Sequence, residues 1–156
     1  LREEQSRKNK AAVASQAPVP VPPISTLPPL DPNATVEAAE LAAHFANEPA
    51  AAAQRYIGRL LKVKGEVERF DVKFVVRRYE VLLATGSRET TVSCAFNYVD
   101  KYRAVYTTRK GQTLTARFGP SSQADLLHVG QMIELQGRCK GFKNGEVILA
   151  GCTLLR

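Results

Sequence analysis

The most regular hydrophobic pattern of the chain lies between residues 59 and 83, in the sequence RLLKVKGEVERFDVKFVVRRYEVLL. Leu61, Val63 and Val67 fall at every second position around Gly65, and this alternation is typical of a strand with one buried face. A glycine in such a strand usually marks a bulge or a sharp bend, because it has no side chain to pack. The stretch predicts the first hairpin of a small closed sheet, with a tight polar break after Val67.

The second strand of this hairpin is predicted over residues 72 to 83. Its alternation changes phase at Arg77-Arg78. A one-residue change of phase turns every later side chain over unless a bulge absorbs it, so we predict a bulge there. Thr85-Gly86-Ser87 is typical of a turn, and a third strand is predicted from Thr90 to Phe96.

The end of the chain predicts a second hairpin. Asn144-Gly145 suits a two-residue type I′ turn, which pairs Lys143 with Glu146. That register places Cys139 opposite Ala150, Gly137 opposite Cys152 and Leu135 opposite Leu154. The predicted core face of this hairpin consists of Ile133, Leu135, Cys139, Ile148, Ala150, Cys152 and Leu154.

Residues 97 to 119 predict an added hairpin between the third and fourth strands, with Arg109-Lys110-Gly111 at its tip. After it, Pro120-Ser121-Ser122 predicts the start of a short helix, because Ser122 and Asp125 have the spacing of a capping box. Leu126 and Leu127 would be the apolar side of that helix, which we expect to end at His128-Val129-Gly130.

The N-terminal part has a different composition. Residues 17 to 32 contain seven of the nine prolines, which favours extended polyproline II, so residues 1 to 33 are predicted to be a disordered linker or tether. Asn33 or Thr35 can cap a helix beginning near Val36, and Pro49 can open a second helix. We therefore expect a helical segment over 34 to 57 and one domain over 34 to 156.

The net charge also differs between the N-terminal part of the chain and the β-rich part. Residues 55 to 156 carry 18 Lys and Arg against 9 Asp and Glu, a net +9, whereas residues 1 to 54 carry 4 against 6, a net −2. A positive field on the β-rich part concentrates anionic partners, although a basic surface also serves solubility. The sequence has no apolar run long enough to span a membrane, and its start at Leu1 rather than Met leads us to expect further sequence upstream.

The cysteines do not match a metal site. Cys94, Cys139 and Cys152 have no C-x-x-C spacing, and only His44 and His128 could join them, so we expect no metal and no cofactor. In the predicted register Cys139 and Cys152 are diagonal neighbours on one face. They can be two buried reduced thiols, or a disulfide in an oxidising compartment.

Five strands with a helix between the third and fourth are the order of the OB-fold, a partly open Greek-key barrel. The chain also carries a series of short motifs in a fixed order: Tyr56-x-Gly58-Arg59-x-x-x-Val63-x-Gly65-x-Val67, Gly130-Gln131, Gly137-x-Cys139-x-Gly141 and Val147-x-Leu149-x-x-Cys152. Over residues 38 to 155 it resembles the bacterial tRNA-anticodon-binding-like OB family, some of whose members are described as lipoproteins. The resemblance implies a mainly β, non-enzymatic binding module, often exported or tethered to a membrane.

OB-folds bind ligands on strands two and three and on the loops joining strands one to two and four to five. Basic residues interleaved with aromatic rings suit single-stranded nucleic acid, because cations hold phosphates and rings stack on bases, but tyrosines also favour strands for packing reasons alone. The candidate ligand-binding residues are Phe70, Lys73, Arg77, Tyr98, Lys101, Tyr102, Arg103, Lys140, Phe142 and Lys143.

Three classes of function compete. The first is a module that binds single-stranded nucleic acid or another anionic partner. The second is an extracytoplasmic domain that meets a protein or envelope partner and reaches the membrane only through an anchor upstream of Leu1; a cytoplasmic location is the alternative. An enzyme is the third class, and the chain has no P-loop, no G-x-S-x-G and no H-E-x-x-H to support it.

Overall fold

The structure, a computed structural model, describes residues 21–155. The chain forms two helices, α1 (Ala38–Asn47) and α2 (Pro49–Tyr56), after a 3-10 turn at Ile24–Thr26. Its strands are β1 (Thr35–Glu37), β2 (Leu60–Lys73), β3 (Arg78–Leu83), β4 (Thr91–Asn97), β5 (Ala104–Thr108), β6 (Thr113–Arg117), β7 (Gln123–His128), β8 (Met132–Lys143) and β9 (Glu146–Leu154).

Five strands close into a barrel. The sheet runs β2-β3-β4-β9-β8, and β8 pairs again with β2, so each of these strands has two neighbours. All the pairings are antiparallel except that of β4 with β9, where Thr91 lies opposite Glu146. This order confirms the mainly β, OB-type architecture predicted from the sequence. The interior is filled by fully buried aliphatic side chains: Val63, Val67, Val81, Leu83, Val92, Ile133, Leu135 and Leu149.

The first hairpin exists, but its turn is not at the polar break. Strand β2 continues to Lys73 through a register shift between Val67 and Arg69, and the chain reverses at Phe74–Arg77. The predicted bulge at Arg77-Arg78 is therefore wrong. The phase of the alternation changes there because Arg77, with a φ of 52°, is the last residue of a turn.

Gly65 does not mark a bulge, since it pairs in regular register with Ile133. It marks a close approach instead. A Cβ at this position would lie 3.0 Å from the Ala38 Cβ and 3.2 Å from the Leu83 Cβ. The bare backbone of Gly65 lets the start of α1 and strand β3 both pack tightly against β2.

The first helix begins later than predicted. Residues Thr35–Glu37 form a strand parallel to β2, in which Val36 is buried opposite Val63. Neither Asn33 nor Thr35 caps the helix, and Glu37 at the N-cap makes no side-chain capping hydrogen bond. Burial of Val36 against the barrel decides the strand conformation here. Helix α2 begins at Pro49, as predicted.

Residues 21 to 33 pack on the helices, in contrast to the free tether predicted for residues 1 to 33. Ile24 and Leu30 contact the hydrophobic core, and the amide of Ile24 donates to a Glu48 carboxylate oxygen at 3.0 Å. Arg55 donates to the carbonyl oxygen of Pro28 at 2.8 Å. Proline carbonyls accept hydrogen bonds even though prolines donate none. The first 20 residues of the predicted linker lie outside the described part.

The insertion is a hairpin with Arg109-Lys110-Gly111 at its turn, as predicted, and all three of these residues have positive φ. The helix predicted from Pro120 is wrong. Residues Gln123–His128 form strand β7, which extends the hairpin to a three-stranded sheet. Pairing with β6 keeps these residues in an extended strand, in which alternate side chains share a face. This pairing overrides the local capping pattern. Four side chains of this sheet join the main core: Val105, Leu114, Ala116 and Leu127.

In the last hairpin, Lys143 pairs with Glu146 and Leu135 with Leu154, as predicted. Two opposed register shifts lie between these pairs, so Cys139 faces Leu149 rather than Ala150. The core side of β9 is consequently formed by Val147, Leu149 and Cys152. Ile148 and Ala150 are only partly buried, and Leu154 is 41% exposed, so all three were wrongly assigned to the core face.

All three cysteines are buried and free. The shifted register removes the diagonal contact on which the Cys139–Cys152 pairing depended. The neighbour of Cys152 is Cys94 on the parallel strand β4. Burial, followed by the hydrogen bond with Cys152, raises the pKa of Cys94 well above its ordinary value.

Candidate nucleic-acid interface

The predicted ligand-binding residues fall into two groups at opposite ends of β4. Thr91, at the start of the strand, donates its amide to the Gly145 carbonyl oxygen of the last turn. Asn97, at its end, pairs with Arg78 beside the first turn. Since a strand rises about 3.3 Å per residue, the two groups lie roughly 20 Å apart. The sequence therefore predicted two separate patches as one surface.

The fully exposed members of the group at the last turn are cations. Lys140 and Lys143 are exposed, but Phe142 is partly buried and its ring stacks on Phe45 of α1, with centroids 5.7 Å apart. The ring face that contacts Phe45 is therefore not available to stack on a base. Phe142 therefore helps to attach α1 to the barrel.

Three residues of the other group are engaged within the fold. Phe70 faces inward opposite Val81 and packs on the core. Tyr98, 3% exposed, stacks on Tyr79 with centroids 6.2 Å apart. Lys73 pairs with Asp71 at 2.9 Å, and this hydrogen bond raises the pKa of Lys73. Phe70 and Tyr98 are thus core residues, and the sequence could not show this because alternation does not say which parity faces inward.

The rest of this group is joined by main-chain contacts. The Arg77 guanidinium donates to the carbonyl oxygen of Arg103 at 3.0 Å. The Arg103 amide in turn donates to the carbonyl oxygen of Arg117 at 2.8 Å. Arg77 lies in the first turn, Arg103 before β5 and Arg117 at the end of β6, so the fold brings together three arginines that are distant in sequence.

Two rings accompany the arginines. Phe118 is 49% exposed and meets the partly buried Tyr102 edge to face, with centroids 5.4 Å apart. We define the arginine ledge as Arg77, Tyr102, Arg103, Arg117 and Phe118. Lys101 is exposed next to it.

The ledge is positively charged. Among residues 21–155, side-chain ion pairs join Lys73 to Asp71 and Arg109 to Asp125, and none involves an arginine of the ledge. The guanidinium groups of Arg77 and Arg117 lie over tyrosine rings, 6.0 Å from Tyr98 and 5.8 Å from Tyr106. Such contacts orient a guanidinium without neutralising it.

The sequence analysis missed Phe118 as a ligand-binding candidate, as it did Arg117. Both belong to the run of alternating aromatic and basic residues between 97 and 119, so the pattern contained the signal. The sequence pattern does not show the pairing of β5 with β6, which places Arg117 opposite Ala104 and next to Arg103.

The outer surface of β3 and β4, the usual OB ligand face, offers no aromatic ring to a base. Ser93 donates to Glu80 across these two strands at 3.4 Å, and Asp71 lies opposite Glu80 on β2. Tyr79 and Phe96 point inward and stack on each other at 5.1 Å. This surface therefore presents carboxylates together with the cations Arg69, Lys73 and Arg78, and no ring.

A groove of about 770 Å³ lies between α1 and the loop joining β3 to β4. Its walls are mostly apolar, and they include three carboxylates, from Glu37, Glu40 and Glu89. None of the predicted site residues lines it. Residues 21–155 contain no cluster of His, Cys, Asp or Glu arranged to hold a metal ion. No helix within the described part has the length and apolar character needed to cross a membrane.

The closed barrel with its added three-stranded sheet defines a binding module of the OB type. The chain belongs to the tRNA_anti-like family, whose model matches residues 2–153. None of the curated proteins matches this sequence.

The solved structures that are similar to the chain include the following two. One is the Klebsiella pneumoniae subsp. pneumoniae protein named "putative nucleic acid-binding lipoprotein", with a TM-score of 0.53, 15% identity, and coverage of 79% of this chain and 92% of that one. The other, from Leishmania major Friedlin, is named "putative aspartyl-tRNA synthetase", with a TM-score of 0.40, 5% identity, and coverage of 88% and 23%. The similarity to the Klebsiella protein supports the fold. No conclusion rests on the similarity to the Leishmania protein.

Proposed function

We propose that the protein binds single-stranded nucleic acid through the arginine ledge. The observation that carries the proposal is the series of hydrogen bonds from the Arg77 guanidinium to the Arg103 carbonyl and from the Arg103 amide to the Arg117 carbonyl, beside the exposed ring of Phe118. Fixed cations can follow a phosphate backbone while a ring stacks on a base, which is how single strands are bound without sequence preference. No catalytic step is part of this proposal.

The matched family and the Klebsiella protein's name, which includes nucleic acid binding, support the same class of ligand. The site differs from the usual OB location, because the ledge lies at the first turn and on the inserted sheet. The net charge of +9 over residues 55 to 156 would attract the ligand from a distance.

The test is fluorescence anisotropy of a labelled single-stranded oligonucleotide across a series of salt concentrations. Affinity should fall with salt, because binding releases counterions from the phosphates. The substitution Arg103→Gln should weaken binding and lower the magnitude of the salt slope by about 0.7, the value for one single-strand phosphate contact. Phe118→Ala should cost about 1–3 kcal/mol of binding free energy and leave the slope unchanged, because it removes stacking and not charge.

Arg88→Gln is the matched control, since Arg88 is an exposed arginine in the loop at the other end of β4. It should change affinity far less than Arg103→Gln. Equal losses for the two arginine variants would mean that only net charge matters, and the ledge would not be the site. Absence of any anisotropy change at low salt would refute nucleic-acid binding altogether.

We also propose an extracytoplasmic, membrane-tethered setting for the domain over 34 to 156, with a protein or envelope component as the alternative partner. Support comes from the word lipoprotein in the Klebsiella protein's name and from the proline-rich composition of residues 17 to 32, which suits a spacer. Fractionation of cells that make the full gene product tests it. Recovery in the membrane fraction supports the tether, and recovery in the cytoplasm contradicts it.

A further inference from the structure

The turn between β2 and β3 exposes three consecutive apolar side chains. Phe74 is 67% exposed, Val75 97% and Val76 55%. Turn positions usually hold glycine, proline or short polar residues, because apolar side chains gain nothing from exposure to water. We call Phe74–Val76 the apolar tip. The three exposed side chains of the apolar tip have no role in packing the barrel.

Cations flank the apolar tip on both strands. Lys73 precedes it, and Arg77 and Arg78 follow it, so the charged groups lie one residue behind the apolar ones on each side. Lys73 forms an ion pair with Asp71, whereas the guanidinium of Arg77 donates a hydrogen bond to the carbonyl oxygen of Arg103. Apolar side chains at an end and cations just behind them match the depth profile of a lipid surface, where phosphates lie above the acyl chains.

We propose that the apolar tip inserts into the interface of an anionic phospholipid bilayer, with Lys73, Arg77 and Arg78 contacting the lipid phosphates. A bilayer suits these residues better than a nucleic acid does. Val75 and Val76 have no ring to stack on a base, and a single strand lying on the arginine ledge would not need them. The acyl boundary, in contrast, accepts aliphatic side chains of any shape.

Vesicle flotation of the whole chain tests the proposal. We expect binding to vesicles that contain phosphatidylglycerol, and much weaker binding to vesicles of phosphatidylcholine alone, because cations are attracted to the anionic headgroups. The double substitution Val75→Ser with Val76→Ser should lower partitioning into the anionic vesicles by at least about tenfold, since burial of even one valine corresponds to that ratio.

Met132→Ser is the matched control, because Met132 is 56% exposed at the start of β8 and lies away from the turn. It should not change partitioning. The proposal is overturned if the wild-type chain does not float with anionic vesicles, or if the tip variant floats as well as the Met132 variant. It is also overturned if the tip variant keeps vesicle binding but loses oligonucleotide binding, because the tip would then belong to a nucleic-acid site.

Phe118→Ala separates this inference from the proposed function. That variant should lose oligonucleotide affinity and retain vesicle binding, since Phe118 belongs to the ledge and not to the tip. Loss of vesicle binding by Phe118→Ala would place the membrane contact on the ledge and refute its assignment to the tip. Circular dichroism of each variant confirms that the barrel is intact.

Discussion

The hydroxyl of Tyr56 lies 2.7 Å from Nδ1 of His44, and both side chains are buried where the two helices meet. The other ring nitrogen of His44 lies 2.9 Å from the carbonyl oxygen of Pro22. A carbonyl can only accept, so Nε2 carries a proton, and in the neutral imidazole the Tyr56 hydroxyl donates to Nδ1. This pair connects α1, α2 and the segment before β1.

Tyr56→Phe should therefore destabilise the fold. It removes the donor and leaves Nδ1 of His44 buried without a partner, which costs about 1–3 kcal/mol. Urea unfolding measures the loss. Tyr106→Phe is the control, because the Tyr106 hydroxyl donates to Gln123 in an exposed position, and its effect should stay within about 0.5 kcal/mol. Equal effects would show that the buried hydrogen bond contributes nothing.

Gly65→Ala should also destabilise the barrel. The added Cβ would lie 3.0 Å from the Ala38 Cβ, between two elements that cannot separate without opening the core. Such overpacking costs about 1–3 kcal/mol. Gly119→Ala provides the reference, because nothing lies within 4 Å of that Cβ. Both changes stiffen the unfolded chain similarly, so their difference in urea unfolding reports the steric term. No difference would contradict the close packing at Gly65.

Oxidation should join Cys94 to Cys152 and leave Cys139 as the free thiol. Cys152 is the neighbour of Cys94, and the shifted register of β8 and β9 has moved Cys139 opposite Leu149. The protein is treated with a thiol oxidant, unfolded without reductant, alkylated and mapped by peptide mass. Alkylation of Cys94 in place of Cys139 would instead support the Cys139–Cys152 pairing considered from the sequence. The Cys139→Ala variant should form the same bond.

Stability should decline as the solution becomes alkaline. Burial raises the pKa of the Cys94 and Cys139 thiols, so the unfolded chain loses these protons before the folded protein does. The free energy of unfolding should then stay constant near neutral pH. It should fall once the pH exceeds about 8.5, the ordinary pKa of a thiol. Urea midpoints in reducing buffer between pH 7 and 10 measure this, and Cys94→Ala should give a shallower decline. A midpoint that rises over this range would contradict the assignment.

Much of the barrel could be predicted from the sequence because its signals are local. Alternation in β2, the turn at Asn144-Gly145 and the glycine at the tip of the inserted hairpin each depend on neighbours a few residues apart. The failures have separate causes. Pairing with β6 overrides the capping pattern at Ser122, a turn and not a bulge explains the phase change at Arg77, and register shifts within the last hairpin change the parity of β9.

The sequence alone determined that this chain forms a basic, mainly β barrel of the OB type, because hydrophobic periodicity and charge are properties of the chain itself. Tertiary structure decided which rings are available, burying Tyr98, stacking the partly buried Phe142 on Phe45 and exposing Phe118. It also decided that Arg77, Arg103 and Arg117 meet, although they lie up to 40 positions apart in the sequence. Spacing along a chain carries no information about such contacts until the register of the strands is known.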